Sequence, residues 1–279
     1  MAESHALKSK QLFPGVFSRH ALDYDRRLEQ IMAHGEARGR LRVLELVDAK
    51  PGMRILDLAC GPGTLTRRLA AHVSPGGKVV GVDLAPGMIE VASAAHTPNA
   101  RFEVMDIEQL SFPDASFDAV TCGHGLQFAP DLGAALREAR RVLRPGGPLA
   151  ASVPIDATRD PVWSVLDEVV DRWLGPPQQA VDEKSTRDVV GEPGRLRQAA
   201  LDAGFASAGV EVIEEQVRWE SVEQFVSQFA GWWFCASRME GIDGDRRQKF
   251  MDEARTTLLS AYPGRFETTG RNHVLLAKA

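Results

Sequence analysis

Short hydrophobic stretches alternate with amphipathic segments between residues 50 and 155. The apolar stretches predict five β-strands, at residues 53–59, 78–85, 100–108, 116–123 and 148–153. The segments between them predict helices, and the clearest helix has Asp131 as a candidate N-cap and Leu132, Leu136 and Ala139 on one face. Alternating strands and helices are typical of a parallel, doubly wound α/β sheet, whose ligands bind at the carboxyl ends of the strands.

The flanking segments have different patterns. Residues 1–49 show no strand pattern and predict helices. After Pro154 the sequence predicts a helix over 161–175, a polar loop over 175–194, a helix ending at Gly204, a strand over 209–213, an aromatic segment over 221–238 and a last strand over 272–279. We therefore expect an N-terminal helical lid (1–49), a ligand-binding core (50–155), and a part that supplies substrate-cap helices and completes the sheet (156–279).

The composition disfavours several classes of protein. A net charge of −5 offers no basic face that would neutralise many phosphates, which argues against a nucleic-acid partner. Cys60, Cys122 and Cys235 are widely spaced and form no CxxC pair, as is typical of a reducing cytoplasm. The N-terminus lacks the apolar core of a signal peptide, and no run approaches the roughly 18 apolar residues of a membrane span. We expect a cytoplasmic protein without a membrane span.

The turn Gly61-Pro62-Gly63 joins the first strand to the following helix. Glycines at such a turn let a ligand approach the backbone, and a G-x-G-x-x-G sequence would predict a dinucleotide pyrophosphate. Here Thr66 replaces the third glycine, and Pro62 has no N–H to offer an anion. A pyrophosphate is therefore disfavoured, and a turn without any ligand stays an alternative.

Two acids at the ends of the next strands favour a nucleoside-bearing ligand. Asp83 lies 20 residues after Gly63, where a carboxylate accepts hydrogen bonds from ribose hydroxyls. Asp106 can accept from an adenine amine beside the Ile107 backbone, with Leu84 and Met88 on the faces of the ring. Taken singly, Asp83 can also be a helix N-terminal acid, Asp106 a solvated strand-end carboxylate, and Met88 a core residue.

Four segments together resemble the successive motifs of class I S-adenosylmethionine-dependent methyltransferases, in particular the ubiquinone/menaquinone C-methyltransferase-like subgroup that includes many small-molecule enzymes. They are ILDLACGPGTLTRRLA (55–70), VVGVDLAPGMIEVA (79–92), FEVMDIEQLSFPDASFDAVTCGHGLQFAPD (102–131) and ALREARRVLRPGG (135–147). VFSRHALDYD (16–25) is similar to the segment that folds over the cofactor in this family. The resemblance implies a Rossmann-like, seven-stranded, mostly parallel sheet with an antiparallel last strand, N-terminal helices and a helical cap insertion.

The resemblance also implies roles for individual residues with S-adenosylmethionine as the cofactor. The resemblance places Asp57, Ala59, Gly61 and Gly63 around the methionine part of the cofactor, and a carbonyl of Cys122 or Gly123 at the amino group of the cofactor. It places Asp83 at the ribose, and Asp106 and Ile107 at the adenine. Tyr24 is expected to close over the site. Pro148, at a strand start, departs from the pattern without consequence because a missing N–H is tolerated there.

The chemistry follows from the sulfonium methyl group, which needs an aligned nucleophile more than an elaborate catalyst. His124, just beyond the fourth strand, is the best-placed general base, although it can equally be a loop or cofactor contact. His20, His34 and His273 are weaker candidates. The loop after strand four lacks the Asn/Asp-Pro-Pro-aromatic sequence used on flipped bases, and no acidic cluster predicts a metal.

An aromatic stripe supplies candidates for the acceptor site. Phe225, Phe229, Trp232 and Trp233 have one-face helical spacing, and with Trp163 and Trp173 they can cover an apolar or aromatic acceptor. A core or dimer-contact stripe explains the same pattern equally well.

We therefore expect in-line methyl transfer to carbon or oxygen of a small aromatic, prenylated or polyketide-like acceptor in secondary metabolism. The alternative is a protein that binds S-adenosylmethionine without transferring its methyl group, such as an S-adenosylmethionine-assisted cyclase or a regulatory protein. A nicotinamide oxidoreductase ranks third, because of Pro62 and Thr66. The sequence leaves the acceptor and any homo-oligomer open.

Overall fold

A computed structural model describes residues 9–155, 161–174, 184–230 and 232–279. Its helices are α1 (Ser9–Arg19), α2 (Ala21–Ala33), α3 (Arg38–Val47), α4 (Thr64–Val73), α5 (Pro86–Ala94), α6 (Leu132–Val142), α7 (Pro161–Leu174), α8 (Lys184–Val190), α9 (Pro193–Asp202), α10 (Val222–Ala230), α11 (Trp233–Met239) and α12 (Gly244–Ala261). Its strands are β1 (Arg54–Leu58), β2 (Lys78–Asp83), β3 (Ala100–Val104), β4 (Ala119–Gly123), β5 (Pro148–Ile155), β6 (Ser207–Trp219) and β7 (Phe266–Lys278).

The described strands form one seven-stranded sheet in the order β3-β2-β1-β4-β5-β7-β6. The pairs from β3 to β5 are parallel, and β7 runs antiparallel to β5. The Rossmann-like, mostly parallel sheet with an antiparallel last strand is therefore confirmed. The chain order reverses between β1 and β4, which is where doubly wound sheets bind ligands.

The hydrophobic pattern predicted the central strands correctly, but some of the predicted strand ends differ from those in the structure. The predicted third strand, 100–108, ends at Val104 because Asp106 Oδ1 accepts a bond from Glu108 N at 2.9 Å and turns the chain. The fourth strand begins at Ala119 rather than at residue 116, and Phe117 forms an isolated bridge to Leu143. Residues 184–190 of the predicted polar loop form α8, whereas 175–183 lie outside the described residues.

The chain divides into two compact units. The first unit contains residues 1–155, 180–214 and 271–279, and includes the parallel part of the sheet. The apolar face of α6, with Leu132, Leu136 and Ala139, packs into its core as predicted. The N-terminal segment is helical over α1–α3, and residues 1–8 lie outside the described residues.

The second unit contains residues 156–179 and 215–270. Its helices α7, α10, α11 and α12 pack with the adjoining parts of β6 and β7 around an aromatic core. Phe225 and Phe250 are fully buried there, and Trp219 stacks edge-on against Phe225 with ring centroids 4.8 Å apart. Among all the helices that the structure describes, none is long and apolar enough to cross a membrane.

Candidate functional site

A cavity in the first unit opens at the carboxyl ends of the parallel strands. It encloses about 970 Å³, a volume that includes its mouth and the open solvent there. Its walls come from the turns after β1, β2, β3 and β4 and from helices α1, α2 and α3. The cavity thus lies where the strand order predicts a ligand.

The glycine turn shapes one wall of this cavity. Gly61 has φ +55°, and a Cβ added there would meet no atom within 4 Å, so its backbone is open to the cavity. Gly63 has φ +85° at the N-cap of α4, where a Cβ would lie 2.9 Å from the Phe102 ring. Ala59 has a left-handed φ of +48°, which is unusual for a residue with a side chain. Gly61 therefore serves the cavity, whereas Gly63 serves the packing of α4.

Asp57, at the end of β1, connects the strand to the elements around the turn. Its carboxylate accepts bonds from the hydroxyls of Thr66 at 2.6 Å and Thr121 at 2.7 Å, which tie β1 to α4 and β4. Burial raises the pKa of Asp57 to about 6, and the charge of Asp83 acts in the same direction. The residue that replaces the third glycine, Thr66, therefore supports the buried carboxylate rather than a pyrophosphate.

Asp83 is held ready for a ligand by backbone groups. Its two oxygens accept from Gly61 N at 2.8 Å and Ala85 N at 2.9 Å, while burial raises its pKa. Each carboxylate oxygen can accept more than one bond, so capacity remains for ligand hydroxyls. Leu84 and Met88 line the cavity beside Asp83 and provide apolar surface.

Asp106 and Ile107 line the end of the cavity nearest β3. The ammonium of Lys10, on α1, lies 2.6 Å from Asp106 Oδ2 and 2.5 Å from Glu108 Oε2. These carboxylates hold the pKa of Lys10 above its usual value despite the opposing effect of burial. Helix α1 is thereby tied by an ion pair to the wall where the sequence predicts adenine.

Arg40 is a site residue that the sequence analysis missed. It lines the cavity, is 8% exposed, and donates from Nη2 to the Tyr24 hydroxyl at 3.0 Å. Among the described residues, that hydroxyl is its hydrogen-bond partner, and no described carboxylate pairs with it. A buried guanidinium without a carboxylate indicates a site for an anionic group of a ligand. Its position on the buried face of α3, in register with Val43 and Val47, was the available signal.

His124 lines the cavity directly after β4. Burial and the charge of Arg40 lower its pKa well below the ordinary value, and the side chain of Asn272 acts in the opposite direction. The imidazole is therefore neutral at pH 7, and the same two causes disfavour its protonated form. Its backbone has a left-handed φ of +64°, a strained conformation of the kind found at functional sites.

Three phenylalanines form an aromatic wall that the sequence analysis also missed. Phe13 and Phe17, one turn apart on α1, have ring centroids 5.0 Å and 5.3 Å from that of Phe128. All three line the cavity, and Phe17 also packs edge-on against Tyr24. The spacing of Phe13 and Phe17 was visible in the sequence, but their partner after β4 was not.

The cavity brings together most of the predicted residues of the first unit, namely Tyr24, Asp57, Ala59, Gly61, Asp83, Leu84, Met88, Asp106, Ile107, Gly123 and His124. Gly63 and Cys122 are not among its lining residues. Cys122 is fully buried, and its thiol accepts bonds from the backbone at Gly125 and Leu126 while burial raises its pKa to about 12. The role predicted for its carbonyl stays a prediction.

The predicted acceptor-site aromatics belong to the second unit and pack against one another. The ring centroid of Trp163 lies 6.1 Å from that of Phe229 and 5.0 Å from that of Trp232, and Phe229 is 2% exposed. The side chain of Trp233 lies outside what the structure describes. These contacts account for the stripe as a core, and its role towards an acceptor stays a prediction.

Of the weaker histidine candidates, His273 is buried with Nδ1 2.8 Å from the Val190 carbonyl, and none of His20, His34 and His273 lines the cavity. No group of three or more His, Cys, Asp or Glu side chains is arranged for a metal ion among the described residues.

Residues 55–147 match a family described as Methyltransferase domain. The chain is 34% identical over 168 residues to the 2-phytyl-1,4-naphthoquinone methyltransferase of Synechococcus elongatus. The aligned residues cover 58% of the chain and 72% of that enzyme. It is 37% identical over 149 residues to the demethylmenaquinone methyltransferase of Staphylococcus aureus, covering 53% of the chain and 61% of that enzyme. The chain belongs to the class I S-adenosylmethionine-dependent methyltransferases. Within them, it is of the quinone-methyltransferase-like type.

Two other similarities complete the comparison. A 37.1 kDa transposon protein of Streptomyces fradiae is 37% identical over 216 residues, covering 74% of the chain and 59% of that protein. The chain thus spans about three fifths of the length of some of these relatives. The YcgJ protein of Bacillus subtilis superposes with a TM-score of 0.53 at 18% identity, over 86% of the chain and 97% of that protein, which shows the shared fold.

Proposed function

We propose that the protein transfers the methyl group of S-adenosylmethionine to carbon or oxygen of a small organic acceptor. The observation that carries this proposal is the cavity lined by Arg40 on α3 and by Asp83 and Asp106 at or just after the ends of β2 and β3. Cation and carboxylates at those positions match the carboxylate, the ribose and the adenine amine of that molecule.

The residues of the cavity fit the parts of S-adenosylmethionine one by one. Arg40 would bind the methionine carboxylate, because its guanidinium has no carboxylate partner among the described residues. The open backbone at Gly61 leaves room for the methionine chain. Asp83 would accept from the ribose hydroxyls, and Asp106 would accept from the adenine amine. Leu84 and Met88 would cover the ring.

When bound, the sulfonium supplies an activated methyl group, so the protein contributes chiefly by alignment and exclusion of water. Tyr24, held by Arg40, closes one side of the cavity, and the aromatic wall of Phe13, Phe17 and Phe128 closes another. His124, which lines the cavity and is neutral at pH 7, would take a proton from the acceptor.

The apolar wall favours an aromatic acceptor. Two of the relatives named above are a 2-phytyl-1,4-naphthoquinone methyltransferase and a demethylmenaquinone methyltransferase, and we extend a quinone-like acceptor to this chain as a proposal. The free, buried cysteines Cys60, Cys122 and Cys235 agree with a reducing cytoplasm as the location of the reaction.

Calorimetry with S-adenosylmethionine, S-adenosylhomocysteine and NADH tests the cofactor. We expect the two methionine derivatives to bind and NADH not to bind; absence of binding by both derivatives contradicts the proposal. Transfer of labelled methyl to phenols, naphthohydroquinones and indoles then tests the reaction. Binding without transfer to any acceptor would favour the non-methylating alternative.

A further inference from the structure

The ammonium of Lys10 pairs with the same carboxylate that the proposed function assigns to the adenine amine. Lys10 Nζ lies 2.6 Å from Asp106 Oδ2, and the other oxygen of Asp106 accepts the Glu108 N–H at 2.9 Å. A carboxylate beside an ammonium is a weaker acceptor for a neutral amine, because the ion pair offsets much of its charge. Lys10 is therefore a competitor, within the chain itself, for the group that would recognise adenine.

Glu108 gives Lys10 a second partner that the proposed adenine contact leaves unused. Glu108 Oε2 lies 2.5 Å from Lys10 Nζ, while Glu108 Oε1 accepts the backbone N–H of Asp131 at 2.9 Å. Asp131 is the N-cap of α6, so this bond fixes Glu108 at the start of a helix. The side chain of Glu108 is 11% exposed, against 28% for Asp106. The ammonium can therefore leave Asp106 and keep a carboxylate partner that is held in place.

Helix α1 presents one face to the cavity, and Lys10 lies on that face. The residues of α1 that line the cavity recur at helical spacing, and they are Ser9, Lys10, Phe13, Pro14 and Phe17. Asp106 and Glu108 line the same cavity. The side chain of Lys10 is 36% exposed, so its ammonium can exchange carboxylate partners while it stays partly hydrated.

The sequence of α1 weakens the helical turn that carries Lys10. Pro14 lies inside the helix and has no N–H, so the Lys10 carbonyl loses the i→i−4 bond that residue 14 would otherwise donate. Gly15 follows directly, and only proline is less favourable than glycine in a helix interior. Residues 9–13 can therefore rotate about Pro14 and Gly15 at a smaller cost in backbone hydrogen bonds than an ordinary helical turn.

The other end of α1 is held firmly against the start of α5. Ser18 Oγ accepts the Gly87 N–H at 3.0 Å. A Cβ at Gly87 would lie 2.6 Å from the Ser18 carbonyl oxygen, so the two backbones are in direct contact there. This contact anchors the C-terminal half of α1, and a movement of Lys10 is thereby confined to residues 9–13.

We propose that Lys10 sets the affinity and selectivity for the cofactor: its ammonium competes with the adenine amine for Asp106 and stays with Glu108 alone once S-adenosylmethionine is bound. Residues 9–13 rotate about Pro14 and Gly15 while the cofactor enters, and then close over it. The proposal rests on the proposed function, which assigns the adenine amine to Asp106. Its consequence is that a purine gains the Asp106 contact from Lys10 only if it carries a 6-amino group.

Calorimetry with S-adenosylhomocysteine, and with its analogue that has hydrogen in place of the 6-amino group, tests the competition. In Lys10→Met we expect S-adenosylhomocysteine to bind about three- to fivefold more tightly, the size expected of a partly exposed ion pair. The 6-deamino analogue needs no bond to Asp106, so its affinity should not change. Lys50→Met is the matched control, because Lys50 pairs with Asp48 at 2.5 Å and does not line the cavity.

Glu108→Gln should change the affinity in the opposite direction. Without its second carboxylate, Lys10 depends on Asp106, so we expect S-adenosylhomocysteine to bind about three- to fivefold more weakly. Glutamine can still accept the Asp131 N–H, so the start of α6 keeps its bond. In the double variant with Lys10→Met, the effect of Glu108→Gln should disappear, because no ammonium then has to be displaced.

Pro14→Ala tests the rotation of residues 9–13 through rates. The substitution provides an N–H that can donate to the Lys10 carbonyl, so the rotation has to break one more hydrogen bond. Surface plasmon resonance on the immobilised protein should show association and dissociation of S-adenosylhomocysteine both slowed by about fivefold, with nearly unchanged affinity. Pro193→Ala, in the first turn of α9, is the control, because a proline there removes no bond within the helix.

The direction of the Lys10→Met effect decides between competition and support. A lysine that merely supports the cavity wall predicts weaker binding in Lys10→Met, and weaker or unchanged binding would overturn the proposal. An equal gain for the 6-deamino analogue, or for Lys50→Met, would also overturn it. Wild-type rates in Pro14→Ala would refute the rotation. Failure of the wild-type protein to bind S-adenosylhomocysteine would instead count against the proposed function.

Discussion

Replacing Asp57 by asparagine is expected to stabilise the ligand-free protein at neutral pH relative to acidic pH. Asp57 is 1% exposed, and its bonds to Thr66 and Thr121 only partly offset the cost of burying its charge. Asparagine keeps the shape and can bond both hydroxyls, accepting from one and donating to the other. The substitution therefore removes the charge while retaining the connections between β1, α4 and β4.

The magnitude follows from the pKa of the buried carboxyl. The pKa rises from 3.8 to about 6 on folding. Between these values the folded state binds more protons than the unfolded state, so the contribution of Asp57 to stability falls as pH rises through that range. At 1.36 kcal/mol per unit, the full loss is about 3 kcal/mol, of which about 2.4 kcal/mol falls between pH 4 and pH 7.5.

Urea unfolding of the two proteins, followed by far-ultraviolet circular dichroism at several pH values from 4 to 7.5, measures this contribution. The free energy of unfolding of Asp57→Asn minus that of the wild type should increase by about 2.4 kcal/mol over that range. Asp202→Asn, on the exposed surface of α9, controls for the loss of one negative charge. A difference that stays constant with pH would refute the reasoning.

Two further substitutions test the site and its support. Arg40→Leu should weaken S-adenosylmethionine binding by about 10- to 100-fold in calorimetry, because a charge-assisted bond is lost. Arg38→Leu, on the exposed face of α3, is the control and should leave the affinity unchanged. Equal affinities of the two variants would contradict the assignment of Arg40 to the methionine carboxylate. Gly63→Ala should reduce the free energy of unfolding by about 2–4 kcal/mol. The cause is twofold: Gly63 has a left-handed φ of +85°, and a Cβ there would lie 2.9 Å from the Phe102 ring. Phe102→Leu in the same chain should restore part of that loss, and strict additivity of the two substitutions would argue against the contact.

The sequence was sufficient for the parts of the site that follow a strand directly. Gly61 and Asp83 could be predicted from spacing, because a strand end and the turn after it occupy consecutive residues, and Asp57 was predicted from the family resemblance. The parallel sheet was predictable for a related reason: buried strands and amphipathic helices leave distinct periodicities.

The residues that come from distant parts of the chain were not predictable in the same way. Arg40 is one of three arginines in RGRLR, and only the packing of α3 on the sheet selects it from Arg38 and Arg42. Asn272 acquires its position from the antiparallel register of β7 on β5. The residues paired in this way are more than 110 positions apart in the sequence, and no local pattern encodes their pairing. Lys10 reaches Asp106 for the same reason, across 96 residues.

The division into two units has an optical consequence. All five tryptophans of the chain, at positions 163, 173, 219, 232 and 233, belong to the second unit, while Tyr24 is in the first. Indole fluorescence therefore reports on the environment of the second unit alone. Unfolding midpoints from fluorescence and from circular dichroism should coincide only where both units lose structure in a single transition, so the separation of the two curves would measure how cooperatively this chain unfolds.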